Sequence, residues 1–217
     1  MYAFQFISDN LYWLILVVLP FLIAGQVYFL ARKMSEPEKM LIPSGLDVDK
    51  QQILSGYQAW LSANNFYPVA SFQFSRIQVA TFQQKDSQRF FSFTFHQRLT
   101  FSIETYFDDT DCTCLDTGTS GSTGMFPQRP HQYEQSFPNA SADEAWRRHL
   151  EAEPYLIKKF GIQWKPLTVP YEQILLKAMR LRMQYVRSIP FYPFLALYWY
   201  FVSRSRMANR SIQQQYP

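Results

Sequence analysis

Glycine and cysteine are scarce in this chain of 217 residues. It contains 7 glycines, and 18% of its residues are aromatic, which excludes a low-complexity or disordered chain and predicts one that folds. The 2 cysteines, Cys112 and Cys114, form a single C-x-C pair. A structural zinc site needs four ligands, so these two are weak metal candidates, and the sequence predicts no cofactor.

A basic excess is missing from the middle of the chain. Residues 34–165 carry 12 basic and 15 acidic side chains, whereas residues 166–217 carry 7 basic side chains against Glu172 alone. Nucleic-acid binding requires a basic face that neutralises phosphates, so we expect no nucleic-acid partner for the central part. The basic C-terminal part, which is also rich in apolar residues, favours contact with anionic lipid headgroups.

Ionisable side chains are absent from the run Leu11–Ala31. A helix of this length reaches about 30 Å, the thickness of the bilayer hydrocarbon, so residues 1–33 are predicted to be a transmembrane anchor. A buried helix of a soluble core is the alternative. Arg32 and Lys33 follow the run and no Lys or Arg precedes it. The positive-inside rule therefore predicts an N-terminus outside and a domain facing the cytoplasm, and the lack of a basic n-region disfavours a cleaved signal peptide.

Residues 47–165 are predicted to form one soluble α+β domain, joined to the anchor by a proline-containing linker at residues 34–46. The domain opens with an amphipathic helix around Ile53–Leu61. Apolar and polar residues then alternate from Phe66 to Phe107, which predicts an antiparallel meander of about four to five strands. Such a sheet has one apolar face that helices must cover and one polar face in solvent.

The segment from 108 to 130 is predicted to be a long surface loop. It contains the hexapeptide LDTGTS at 115–120, which resembles the D-T-G-[ST] signature of aspartic proteases. The resemblance covers only these six residues and implies that Asp116 would activate a water together with a second aspartate. No second D-[ST]-G occurs in the sequence, so a dimer would have to supply that aspartate. A Ser/Thr/Gly-rich surface loop without chemistry is the alternative.

A helix is predicted from the capping box Ser141-x-x-Glu144 through about Phe160, after a last strand at residues 131–137. Pro154 is expected to break or kink this helix. His149 and Glu153 are expected on its solvent side. His149 is not favoured as a catalyst, because no partner residues with suitable spacing accompany it.

Residues 166–203 are predicted to be a basic amphipathic helix followed by a short hydrophobic segment. Basic and amide side chains share one narrow helical face, which is typical of a helix in the membrane interface. A helix packed on the domain is the alternative. The hydrophobic segment, Ser188–Ser203, is short for a full span and is re-entrant, interfacial or a short transmembrane helix. The candidate membrane-interface residues are Lys177, Arg180, Arg187, Tyr198, Trp199 and Arg204. Residues 204–217 are predicted to be a free tail.

These features predict a membrane-anchored, non-enzymatic accessory or scaffold protein, which would be a subunit or interaction module of a membrane-associated complex. Its expected partners are the lipid bilayer and either a protein in the membrane or further copies of the same chain. One alternative is a membrane-bound hydrolase that uses Asp116. A second is an anionic-lipid-binding module that acts through the basic C-terminal part.

Overall fold

The computed structural model describes the backbone of residues 2–74, 76–119, 126–199, 202 and 208–217. It describes the side chains of the same residues except 2–17 and 197. The predicted anchor therefore lies partly outside the described side chains.

One mixed sheet of seven strands runs through the domain in the order of the chain. The strands are β1 (Ile42–Pro43), β2 (Phe66–Phe74), β3 (Ile77–Gln84), β4 (Arg89–Phe95), β5 (Leu99–Tyr106), β6 (Cys114–Gly118) and β7 (Gln132–Ser136). Neighbours from β1 to β6 are antiparallel, whereas β7 lies parallel to β6. The α+β class is confirmed. The sheet is larger than the predicted meander because the linker contributes β1 and the predicted loop contributes β6.

Helices flank the sheet on both faces and extend from it at one end of the molecule. They are α1 (Tyr2–Met34), α2 (Val48–Ser55), α3 (Gln58–Ala63), α4 (Ala142–Phe160), α5 (Tyr171–Ser188), α6 (Tyr192–Tyr198) and α7 (Ile212–Gln215). Within the described part of the chain, no helix combines the length and the apolar character needed to cross a membrane.

The first face of the sheet carries the phenylalanine-rich core that the alternation predicted. Phe91, Phe93 and Ile103 are fully buried there, because α3 and α4 cover them with Leu61 and Trp146. Burial of such aromatic side chains contributes about 1.5–3 kcal/mol each, so this face is a main source of stability.

The second face was predicted to be polar and solvated, and this expectation is wrong. The helix α5 covers it, with Tyr171 and Ile174 packed on Phe90 and Tyr106. Phe90 precedes Phe91, so adjacent residues of β4 point to opposite faces and both are buried. Polar residues of this face such as Thr81, Ser92 and Glu134 are consequently buried, whereas Glu104 and Asp116 are half-buried.

The helix α4 begins and ends as predicted but buries side chains that were expected in solvent. The Ser141 hydroxyl accepts a hydrogen bond from the Glu144 amide, and the helix continues through Pro154 to Phe160. His149 is fully buried, and Glu153 is 5% exposed. The Glu153 carboxylate accepts two hydrogen bonds from the Arg89 guanidinium, at 2.8 and 2.6 Å. This bidentate pair accounts for a carboxylate on the inner side of the helix.

His149 joins α4 to two strands through both of its ring nitrogens. Nε2 lies 2.8 Å from the Thr105 hydroxyl of β5, and Nδ1 lies 2.8 Å from the Thr117 hydroxyl of β6. Burial, together with the charge of Arg89, lowers the pKa of His149 from 6.5 to about 3. The imidazole is therefore neutral in the folded protein at neutral pH, and its role is structural.

The last residues pack on the domain and do not form the predicted free tail. Ile212 of α7 is fully buried against Leu156 and Tyr133. The Ile212 amide donates to the Gln135 side chain at 3.0 Å, and the Tyr155 hydroxyl donates to the Tyr216 carbonyl. The C-terminus thereby closes the outer side of β7 and α4.

At the other end of the molecule, α1, α5 and α6 pack against one another. The contact is made by Val27 and Ala31 of α1, Met183 and Val186 of α5, and Tyr192 and Ala196 of α6. The Phe21 and Phe194 rings meet at 5.5 Å, and the Tyr28 and Tyr192 rings meet at 6.2 Å. The earlier residue of α1 thus contacts the later residue of α6, so the two helices run in opposite directions.

Replacement of His149 by glutamine is expected to remove a pH dependence of stability. The folded protein keeps His149 neutral down to a pH of about 3, whereas the unfolded chain binds a proton near 6.5. The stabilisation is thus present above about pH 6.5 and is lost as the pH falls, by at most about 1.4 kcal/mol per pH unit. Urea unfolding at several pH values should show this slope in the wild type and in the exposed-site control His96→Gln, but not in His149→Gln. An equal slope in all three proteins would contradict it.

Candidate functional site

Three carboxylates form a row across β5, β6 and β7 on the face that α5 covers. Glu104 is registered opposite Asp116, and Asp116 is registered opposite Glu134. Neighbouring strands lie about 4.8 Å apart, so the three acidic side chains are held next to each other. We call these three residues the acidic row.

Two of the three carboxylates have protein donors. Glu104 accepts hydrogen bonds from the hydroxyls of Tyr106, at 3.0 Å, and Tyr171, at 3.3 Å. Glu134 accepts a hydrogen bond from Nη1 of Arg182 on α5 at 2.8 Å.

The third member of the row is less well satisfied. Within the described residues, the buried Oδ1 of Asp116 has no hydrogen-bond partner. A buried acceptor without a donor costs about 1–3 kcal/mol, and more when it is charged.

The electrostatics of the row favour protonation. Burial raises the pKa of Asp116 well above its usual value, and the charges of Glu104 and Glu134 raise it further, while Arg182 opposes the rise. Burial also raises the pKa of Glu104, against the hydrogen bonds from Tyr106 and Tyr171. The same cause raises the pKa of Glu134, against the attraction of Arg182. The row therefore holds protons at a pH where exposed carboxyls are ionised.

The space beside the row is small. A cavity of about 130 Å³ separates Asp116 and Cys114 of β6 from Ala178 and Arg182 of α5. Sites for drug-sized ligands occupy about 300–1,000 Å³, so this cavity suits a few water molecules and not a peptide. Among the described residues, no group of three or more His, Cys, Asp or Glu side chains is arranged to hold a metal ion.

The protease-like hexapeptide lies in a different setting from the predicted surface loop. Asp116 and Thr117 belong to β6, and the two side chains point to opposite faces, because Thr117 bonds to His149 on the α4 side. Ser120 lies outside the described residues. A protease aspartate must meet a peptide in an open cleft, whereas Asp116 lies beneath α5.

The two cysteines are buried free thiols and bracket the start of β6. Burial raises the pKa of Cys112, and it raises the pKa of Cys114 well above its usual value. A thiol with a raised pKa is a poor nucleophile and a poor metal ligand at neutral pH, because it is the thiolate that reacts. The burial and raised pKa of Cys112 and Cys114 do not favour metal binding by these thiols.

The candidate interface residues of α5 contact the protein itself. Lys177 donates to the Asp109 carbonyl at 2.6 Å, and Arg180 forms an ion pair with Glu38. Arg187 is exposed and lies 3.5 Å from the Ser35 hydroxyl. The apolar side of α5 is buried on the sheet and on α1 and α6. The arrangement observed for α5 is therefore the alternative stated above, a helix packed on the domain.

The remaining candidates belong to the C-terminal hydrophobic segment. Tyr198, the last residue of α6, is 52% exposed, and Trp199 follows it with partial exposure. Arg204 lies outside the described residues.

A large apolar surface is exposed where α1 and α6 lie side by side. Its members are Val18, Leu19, Phe21, Leu22, Tyr28 and Phe29 of α1, and Phe191, Phe194, Leu195 and Tyr198 of α6 or just before it. Phe29 is 68% exposed and Phe191 is 81% exposed. We call this set the α1–α6 apolar surface.

The residues that sequence reasoning missed are Glu104, Glu134 and Arg182 as members of one site. Glu104 alternates with apolar residues in β5, and Glu134 lies in the predicted last strand, so each was visible as a strand residue. Their proximity follows from the register of β6, which was not predicted.

Comparison with known proteins finds no matching family model, no matching curated protein and no matching solved structure.

Replacement of Asp116 by asparagine is expected to stabilise the protein at alkaline pH relative to the wild type. A carboxyl whose folded pKa is raised contributes stability that is complete below its unfolded pKa and is lost as the pH rises from there through its folded pKa, because the unfolded chain ionises first. Unfolding free energies measured between about pH 5 and pH 9 should fall for the wild type and for the exposed control Asp111→Asn. The variant Asp116→Asn should show a flatter profile, by about 1 kcal/mol or more at the upper end. A profile parallel to that of the wild type would contradict a buried, protonated Asp116.

Proposed function

We propose that this chain is a membrane-tethered, non-enzymatic accessory protein that holds an α+β domain at the cytoplasmic face as a subunit or interaction module of a membrane-associated complex. The observation that carries the proposal is the α1–α6 apolar surface. Contiguous apolar patches beyond a few hundred Å² are rare on soluble monomers, so this surface requires a cover of lipid or protein.

Lipid is the cover that the sequence of α1 favours. The helix contains the whole run Leu11–Ala31, which carries no ionisable side chain. The helix α6 follows α1 in the opposite direction and adds its own apolar side chains to the same surface. We infer that both helices enter the bilayer, α1 as the anchor and the segment 188–203 as a re-entrant or short transmembrane companion.

The orientation follows from the charges at one end of this helix pair. Arg32 and Lys33 of α1 and Arg187 of α5 are exposed at the end nearer the domain. Basic residues next to a transmembrane segment favour the cytoplasmic side. The domain is therefore proposed to face the cytoplasm, with the N-terminus outside.

An accessory role is favoured over the alternative of a hydrolase by the setting of Asp116. Its carboxyl lies beneath α5 beside a cavity of about 130 Å³. This cavity is too small to admit a polymeric substrate unless α5 is displaced. The row instead contributes to the joint between the sheet and α5, through the pair of Glu134 with Arg182.

Membrane association is tested by extraction of the full chain from membranes. We expect the wild type to remain in the membrane pellet at high salt and alkaline pH, because apolar contacts and not charges retain it. The double variant Phe21→Lys/Phe29→Lys places two charges on the α1–α6 apolar surface and should shift a large part of the protein to the supernatant. The matched control Ile42→Lys/Val48→Lys alters exposed apolar residues of the domain, which are 60% and 77% exposed, and should behave as the wild type.

The same preparation tests the accessory role. Solubilisation in mild detergent should yield the protein with a stoichiometric partner or as an oligomer. Wild-type protein that stays in the supernatant of a detergent-free high-speed spin would refute membrane tethering, and a detergent-solubilised monomer without a partner would refute the accessory role.

Orientation is tested with a cysteine in the β3–β4 turn. Cys112 and Cys114 are buried, so they give little background with an impermeant thiol reagent. The exposed Lys85 is a suitable site for Lys85→Cys. We expect labelling only after the cells are permeabilised, and labelling in intact cells would contradict a cytoplasmic domain.

A further inference from the structure

A second cavity lies where the helix pair meets the domain. It has a volume of about 430 Å³ and is lined by Tyr28, Arg32, Ser35, Glu36, Arg187 and Tyr192. Three segments form it: the end of α1 with the residues that follow, the end of α5, and the start of α6. Tyr28 lines the cavity and is also a member of the α1–α6 apolar surface, so the two adjoin. We call it the junction cavity.

The two arginines of the junction cavity differ from those of the helices around the sheet. Arginines on α4 and α5 that pair with carboxylates are Arg147, Arg148, Arg180 and Arg182. Among the described residues, Arg32 and Arg187 have no carboxylate within 4.0 Å. Two guanidinium groups at one cavity thus retain donors for an anion.

The acidic residue of the cavity does not neutralise these arginines. Glu36 forms an ion pair with Lys39, which lies outside the cavity lining. The hydrogen bond and charge of Lys39 also lower the pKa of Glu36, with a smaller contribution from Arg32. The carboxylate is therefore ionised and already engaged, and the cavity keeps a net positive lining.

Hydroxyl groups complete the set of donors. The Tyr28 and Tyr192 rings are stacked at 6.2 Å with an angle of 25° between their planes. The Ser35 hydroxyl donates to the Ala31 carbonyl at 2.9 Å, and it can accept from Nη1 of Arg187 at 3.5 Å. Guanidinium forks and phenol hydroxyls are the donors that bind phosphate oxygens in proteins.

We propose that the junction cavity binds the phosphate group of an anionic lipid headgroup. The proposal rests on the proposed membrane tethering and adds a specific ligand site to it. The position of the cavity decides between a lipid and a soluble phosphate compound, because the lining donors are flanked by exposed apolar side chains that acyl chains would cover. Arg32 and Arg187 bind the phosphate oxygens, and the hydroxyls of Tyr28 and Tyr192, which also line the cavity, donate to the same group.

The experiment is native mass spectrometry of the full chain in detergent, titrated with phosphatidylglycerol or with phosphatidylcholine. We expect the wild type to bind one phosphatidylglycerol about tenfold or more tightly than phosphatidylcholine. Both lipids carry a phosphate, but in phosphatidylcholine a quaternary ammonium group lies beside it and is repelled by the two guanidinium groups. The variant Arg32→Gln/Arg187→Gln should lose this preference. The variant Tyr28→Phe/Tyr192→Phe keeps the rings and should lose part of it.

The matched control is Lys33→Gln, which removes a positive charge from the same turn of α1 but does not line the cavity. It should change the preference by less than about twofold, since a charge outside the site acts only through screened attraction. An equal loss in Lys33→Gln and Arg32→Gln/Arg187→Gln would overturn the site in favour of a diffuse basic surface. Equal binding of the two lipids by the wild type would also overturn it.

Two further measurements distinguish a lipid phosphate from a soluble phosphate compound, and the lipid site from membrane tethering. Saturable binding of soluble glycerol phosphate as tight as that of phosphatidylglycerol would overturn a lipid ligand. Arg32→Gln/Arg187→Gln should remain in the membrane pellet after alkaline extraction, and loss of lipid preference together with retention there supports the site independently of tethering. A wild type that is not retained in membranes would refute membrane tethering and, with it, the lipid site that rests on it.

Discussion

Coverage of both faces of one sheet is the constraint on which the rest of the structure depends. The helices α3 and α4 bury the phenylalanine side chains of one face, and α5 buries the other face. Because α5 lies over β5 to β7, three carboxylates that a one-sided sheet would leave in water are shielded from it: Glu134 is buried, and Glu104 and Asp116 are half-buried. Their raised pKa values, the pairing of Glu134 with Arg182, and the small cavity all follow from that one helix.

The parts of the fold that depend on neighbouring residues were predictable from the sequence. The period of two in β3, β4 and β5 and the N-cap at Ser141 are local patterns, and the structure has each of them. The strand β6 was missed because CLDTG contains turn-forming residues and reads as a loop without its neighbours. Its pairing with β5 and β7 supplies the backbone hydrogen bonds that override this weak preference.

The candidate sites also divide into one that local sequence predicts and others that depend on residues far apart in the chain. The α1–α6 apolar surface follows from composition, since long apolar runs in two segments are visible in the sequence. The role of His149 was misjudged because its partners, Thr105 and Thr117, are 44 and 32 residues away in the chain. The acidic row was missed for a related reason, as Glu104 and Glu134 become neighbours of Asp116 only through strand register.

The double role of α5 limits the freedom of the domain. This helix of 18 residues is about 27 Å long, lies on the sheet at its beginning and grips α1 and α6 at its end. A domain joined to an anchor only by a flexible linker could rotate and present any side to its surroundings. Here α5 packs on both the sheet and the apolar helices α1 and α6, so the orientation of the sheet relative to these helices is fixed. A binding partner would consequently meet the domain from one fixed aspect.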